Sequence, residues 1–339
     1  MKKLVPPLLV ALGSFLVVAG LLAKLYAYDR LAVMPVDAQI DSVAATSPDA
    51  PATYFDISQL KEVTGGLTNR TKIRGDVAAA EEATEDLGTD AVVWASYACT
   101  GPSEENCLTD PLPLSGAAEV TAFAAHGSQV LDWDGNYRES DGELDDDPAT
   151  TSYVYKLPFN VEKRDYTWYN GDLAQPAKVK YDGVTEVNGL RTYAFVQDVA
   201  ATKVGTVDLP GSLVGSDEPS VTGDVYFTGH LSMDVEPESG VAMTTTSDMD
   251  KWVEVNGKRV LTMIKASFSM TDATVTDNVD TYRPLALGLK ALRIWAPIAG
   301  LVLGFLLIAA GILISRRHHP LEKPTPSRHS SESASSVLA

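Results

Sequence analysis

Two long runs without a formal charge, one near each end, constrain this chain more than any other feature of its sequence. Residues 4–23 are 20 positions with no Asp, Glu, Lys or Arg, preceded by Lys2 and Lys3. Residues 294–315 are 22 such positions, followed by Arg316, Arg317, His318 and His319. A hydrocarbon core of about 30 Å is crossed by roughly 20 apolar residues in a helix, so each run is read as a transmembrane helix. The first run is longer than the apolar part of a typical secretory signal, and "AKLYAYDR" after it offers no clean small-x-small cleavage site. It is therefore expected to stay as an anchor.

Two spans place both termini on one side of the membrane. Six basic residues flank the outer ends of the spans (Lys2, Lys3, Arg316, Arg317, Lys323, Arg328) and five flank the inner ends. That small excess favours cytoplasmic termini. Cys99 and Cys107 point the same way. They stand in "YACTGPSEENCLTD", an even pair around Gly101 and Pro102, which is expected to close as a disulfide, a bond that persists outside the cytosol. The domain organisation that follows is an anchor at 1–28, an extracytoplasmic domain at 29–289, a second span at 290–316 and a disordered cytoplasmic tail at 317–339.

The extracytoplasmic segment carries 43 acidic and 18 basic residues, a net charge of −25. A domain of that charge repels polyanions at long range, so nucleic acid is excluded as a partner. Helical periodicity is scarce within it; only residues 77–88, "VAAAEEATEDLG", read as a short helix stopped by Gly88. Elsewhere apolar residues alternate. In "DVYFTGHLSMDV" Val225, Phe227, Leu231, Met233 and Val235 share one face, the period-two signature of a half-buried strand.

Two Asn-Gly turns predict hairpins, because both residues tolerate the positive φ of a type I′ turn. Around Asn188-Gly189, counting outward pairs Val187 with Leu190, Glu186 with Arg191, Thr185 with Thr192 and Val184 with Tyr193. Around Asn256-Gly257 the same count pairs Glu254 with Arg259 and Trp252 with Leu261. The shared string E-V-N-G-x-R is explained by duplication of a β unit or by convergence on good turn chemistry. The fold class expected is mainly β: an antiparallel sheet, sandwich or open-barrel-like, between two transmembrane helices.

Catalytic signatures are absent: there is no G-x-S-x-G, H-E-x-x-H, G-x-G-x-x-G or P-loop. His230 sits on the polar side of a strand, where a hydrogen-bonded imidazole is the ordinary reading. No enzymatic activity and no cofactor are expected. Asp132, Asp134, Asn136 and Glu143 fall at positions 1, 3, 5 and 12 of a calcium-loop pattern. The sixth position, which should be glycine, is Tyr137, so the match is weak. In the second span Gly300 and Gly304 form a G-x-x-x-G, suited to close contact with the first span or with another copy.

The segment "YVYKLPFNVEKRDYTWYNGDL" concentrates aromatic residues. Alternation puts Tyr153, Tyr155, Leu157 and Phe159 on one face, with Tyr166 and Trp168 repeating the pattern after a charged turn. Such rings serve either as ordinary core or as a wall for an amphiphile; the candidate lipid-binding set is Tyr153, Tyr155, Phe159, Tyr166 and Trp168.

This segment, with "YDGVTEVNGLRTYAF" and "VEPESGVAM", resembles an actinobacterial cell-envelope family of unknown function often labelled the porin PorA family. That family shares the order of span, β-rich outer domain and span. The resemblance implies work on envelope lipids, in trehalose-mycolate traffic or lipoglycan maturation, with a membrane lipid or glycolipid as ligand and an envelope transporter or glycosyltransferase as partner. A pore is not expected, because two helices enclose no aqueous path and strands this polar do not face lipid. The function read from the sequence is binding or traffic of a lipid or glycolipid at the outer side of the cytoplasmic membrane. The alternative is a scaffold that recruits envelope transporters or enzymes without holding lipid.

Overall fold

The computed structural model describes residues 4–109, 113–140, 143–145 and 152–318. The tail beyond 318, expected to be disordered, lies outside the described residues. Among the described residues six α-helices occur: α1 (Val5–Leu22), α2 (Tyr28–Leu31), α3 (Val77–Leu87), α4 (Gly211–Val214), α5 (Asp272–Lys290) and α6 (Ala296–His318), with π-helical turns at Ala23–Ala27 and Ala291–Trp295. The described residues divide into two compact units, one built on α1 and α6 and one holding the rest of the chain between them.

The helical stretches Val5–Leu31 and Asp272–Arg317 are, among the described residues, the two long and apolar enough to cross a membrane. Within the first unit α1 and α6 meet along glycines. Gly13 lies against the carbonyl of Gly304, Gly20 against Gly300 and the carbonyl of Ala296, and Gly311 against the carbonyl of Pro6. Small residues at such a seam let backbones approach, and dispersion between them takes the place of the hydrophobic effect, which lipid does not supply. The G-x-x-x-G of the second span is thus spent on the first span of the same chain.

The second unit is one antiparallel sheet. Its strands are β1 (Gln39–Thr46), β2 (Ala52–Asp56), β3 (Lys61–Gly65), β4 (Leu67–Gly75), β5 (Ala91–Pro102), β6 (Ser115–Ala124), β7 (Tyr137–Ser140), β8 (Glu143–Asp145), β9 (Tyr166–Asn170), β10 (Gln175–Val187), β11 (Leu190–Pro210), β12 (Ser220–Val235), β13 (Ala242–Val255) and β14 (Lys258–Met270). The spatial order is β8-β7-β6-β5-β4-β1-β14-β13-β12-β11-β10-β9. At β14 the sheet forks: Phe268–Met270 pair with β1, whereas Ile264 and Lys265 pair with β2.

The sheet curls, and one arginine joins its flanks. Arg138 on β7 donates from Nη1 to the Tyr169 hydroxyl on β9 and to the Gly171 carbonyl, both at 3.0 Å. Strands near opposite ends of the pairing path are thereby brought together, giving an open half-barrel. Of the two forms the sequence allows, the open barrel is the one found.

Local chemistry explains most elements. The N-cap of α3 is Asp76, whose carboxylate accepts from the Ala79 amide at 3.0 Å, and Gly88 ends the helix in the left-handed region. The β10–β11 hairpin has the register that its Asn-Gly turn dictates, from Val187–Leu190 to Val184–Tyr193. The β13–β14 hairpin departs from it. Glu254 faces Arg259, but a bulge then pairs Val253 with Leu261 and Trp252 with Thr262. The expected Trp252–Leu261 pair is therefore corrected by one position. Outward counting assumes an unbroken ladder, and an extra residue on one strand breaks it.

Among the described residues the core divides into five clusters, two of them rich in aromatic side chains. One gathers Val92, Trp94 and Phe123 with Tyr169; the other gathers Leu157, Tyr166, Phe195 and Met233. Full burial of each such side chain contributes roughly 1.5–3 kcal/mol.

Candidate functional site: an apolar cavity inside the curled sheet

The concave side of the curl forms an open-sided cavity of about 580 Å³. Its long wall is β13, where Thr245, Ser247, Met249, Lys251 and Val253 line the space at every second residue. The period of two sends these five to one side and Thr246, Asp248, Asp250 and Trp252 to the other. Leu261, Met263, Ile264 and Phe268 continue the lining on β14, and Val207 and Leu209 continue it on β11. Most of the lining is aliphatic, aromatic or thioether.

Polar groups enter in two places. On one side Asn69 donates to the Thr100 hydroxyl at 3.0 Å, with Ser115 also in the lining. On another, Arg138, Ser140, Asp172 and Lys251 line the space. Lys251 Nζ stands 3.9 Å from an Asp172 carboxylate oxygen, at the long limit of an ion pair. Glu119 is the cross-strand partner of Arg138. Burial pushes its carboxyl up, while the Arg138 charge and the Thr121 hydroxyl pull it down.

The five aromatic residues singled out in the sequence lie elsewhere. Residues 153–165 are not a regular strand, so their rings do not share a face. Tyr153 and Leu157 join the Phe195 cluster, whereas Tyr155 and Phe159 join the Trp94 cluster. Tyr166 is core and Trp168 packs beside it. The one-face reading of this segment is corrected: a chain without a ladder partner has no pleat to enforce alternation. The Tyr155 hydroxyl donates to Ser96 Oγ at 2.7 Å, and burial raises its pKa well above the ordinary value. None of the five rings lines the cavity.

Next to them lies an unusual group. Lys156 is 6% exposed. Its ammonium donates to Ser128 Oγ at 2.6 Å and stands 3.6 Å over the Phe159 ring. Burial alone pulls its pKa down to about 7.

Cys99 and Cys107 are joined as a disulfide, and Cys99 contributes to the cavity wall. Of the calcium-loop residues, Asn136 has a structural role and Glu143 starts a strand, β8. The buried Asn136 side chain accepts from the Ala122 amide and donates to the Leu131 carbonyl, which occupies it in holding the turn. Among the described residues no three His, Cys, Asp or Glu groups cluster as a metal site. His230 pairs with Asp198 at 2.7 Å on the outer face.

Lys251 and Arg138 are the two cations of the lining, and reasoning from sequence passed over both. A signal for Lys251 existed: it is the one charged residue in an alternating series otherwise made of Thr, Ser, Met and Val. Nothing local marks Arg138, whose hydrogen-bond partners Tyr169 and Gly171 lie more than thirty positions away.

No curated protein matches this chain. The family described as Porin PorA matches it over residues 5–313, which takes in the first apolar helix, the whole curled sheet and most of the second apolar helix, and the chain belongs to that family.

Proposed function

We propose that this protein is a membrane-anchored, non-enzymatic envelope module that holds a lipid or glycolipid in the hollow of its curled sheet. The observation that carries the reading is the cavity itself. Its volume of about 580 Å³ falls in the range of roughly 300–1,000 Å³ typical of small-molecule sites, and a mostly apolar lining with a few polar groups is what such sites use. Each methylene buried there contributes about 0.8 kcal/mol, so about eight of them supply about 6 kcal/mol. Two apolar helices in the same chain suit a molecule that acts where lipids are.

The family's name suggests a pore, and the sheet argues against one built from it. A barrel embedded in lipid presents an apolar band outward. Here the outward positions of β12 and β13 include Asp224, His230, Asp234, Asp248, Asp250 and Glu254, with Asp250 bound to Arg259 at 2.8 Å.

Native mass spectrometry of the full chain released from detergent tests the reading. The expected result is a lipid adduct that survives washing, lost when Met249 and Leu261 are both replaced by Trp to fill the cavity. A bare protein that instead brings down an envelope transporter or glycosyltransferase would favour the scaffold alternative.

A further inference from the structure

The surroundings of Lys251 suggest what the ligand must carry. Along β13 its same-face neighbours are Met249 and Val253, and its cross-strand partners are Phe227 on β12 and Ile264 on β14. A cation is thus set among four apolar residues in the wall of an apolar cavity. Its carboxylate contact, Asp172, is 3.9 Å away and partly exposed, a long, solvent-screened pairing that contributes little. The second cation of the lining, Arg138, uses Nη1 on Tyr169 and Gly171. Its Nε is buried and donates to no acceptor among the described residues. Asp172 touches Lys251 and follows Gly171, which Arg138 holds, so both cations approach the same loop. The lining holds these two cations and one carboxylate, in a segment whose net charge is −25.

We propose that the cavity selects an amphiphile bearing one anionic group, a carboxylate or a phosphate, which Lys251 binds with Arg138 while the tail lies along Met249, Leu261 and Phe268. This rests on the lipid-holding reading above and narrows it. An anion entering there gives the Lys251 ammonium a charged acceptor closer than Asp172, while Arg138, already facing Glu119 across the strands, adds its field, and charge-assisted bonds are stronger than neutral ones. A neutral tail of equal length gains the same apolar burial without that contribution. Arg138 also pins β7 to β9, so Lys251 is the residue whose change reports on the ligand.

The test uses the full chain in nanodiscs of zwitterionic lipid, with three photoactivatable probes of equal length: hexadecanoate, hexadecyl phosphate and hexadecanol. Crosslinks are mapped by peptide mass spectrometry. Both anionic probes are expected to label β13 and β14 peptides about tenfold more than the alcohol, the ratio that one charge-assisted bond supports. Lys251→Met should bring them down to the alcohol's level, and Lys251→Arg should restore them. Equal labelling by all three probes in the wild-type chain overturns the anionic selection and leaves the lipid-holding reading standing. Labelling by none overturns both. Loss of acid labelling under excess inorganic phosphate would mean that the cations serve a free anion, and that also refutes the proposal. The probe comparison needs no variant, so poor folding of Lys251→Met does not shield it.

Discussion

Lys156 gives a sharp test of the packing around the aromatic segment. In the unfolded chain its amine titrates near 10.5, and in the fold burial lowers it to about 7. Between those values the unfolded state binds a proton that the native state does not, so stability rises with pH there. Above about pH 10.5 both states are neutral and the residue costs nothing through its charge. As pH falls the penalty grows, and below about pH 7 it is constant. Each pH unit of difference is worth about 1.4 kcal/mol, so between pH 10 and pH 7 the wild-type chain should lose about 3–4 kcal/mol through this group alone. Lys156→Met keeps the length and removes the charge. Urea unfolding of the full chain in non-ionic detergent, followed by tryptophan fluorescence at pH 7, 8, 9 and 10, measures both proteins. The variant also loses the Ser128 hydrogen bond and the contact with Phe159, so its stability at one pH is a compound quantity. The difference in pH slope is not, since every other titrating group is shared. Parallel slopes over that range would refute the claim that the fold holds this amine away from water.

Three further outcomes follow from local geometry. Replacing Gly13 by Val should drive its side chain into the Gly304 carbonyl and Ile308 and abolish cysteine crosslinking between α1 and α6, whereas Gly288→Ala, which meets no neighbour, should leave crosslinking unchanged. Gly240 has φ +78° and its missing Cβ would strike the Leu157 and Pro158 carbonyls; Gly240→Ala should cost about 3 kcal/mol or more in urea unfolding, since strain and steric overlap add. Replacing Cys99 and Cys107 together by Ala opens a loop of sequence separation 8 and should cost about 2–3 kcal/mol, read as a lower midpoint that reductant no longer shifts.

What the sequence determined by itself is what depends on neighbours in the chain. The two charge-free runs are legible because spanning a bilayer is a condition on consecutive residues. Helix α3 and both hairpin turns are legible because a terminal Gly and an Asn-Gly pair each act within a few positions. The alternation of β12 follows from the pleat. Even the stripe that carries Lys251 could be written down from the sequence of β13. What the sequence left open is which side of that stripe faces a hollow and what faces it. That was decided by pairings such as β1 with β14, over 220 residues apart, and by Arg138 reaching Tyr169 across the curl. The aromatic segment shows the same division. Its composition announced burial correctly, but without a ladder its rings were shared between two clusters, and the cavity was left to Met249, Leu261 and Phe268. Turn chemistry acts over a few bonds and leaves its mark in short motifs. The curvature of a sheet sums small twists and bulges over fourteen strands, and no short stretch of residues encodes that sum.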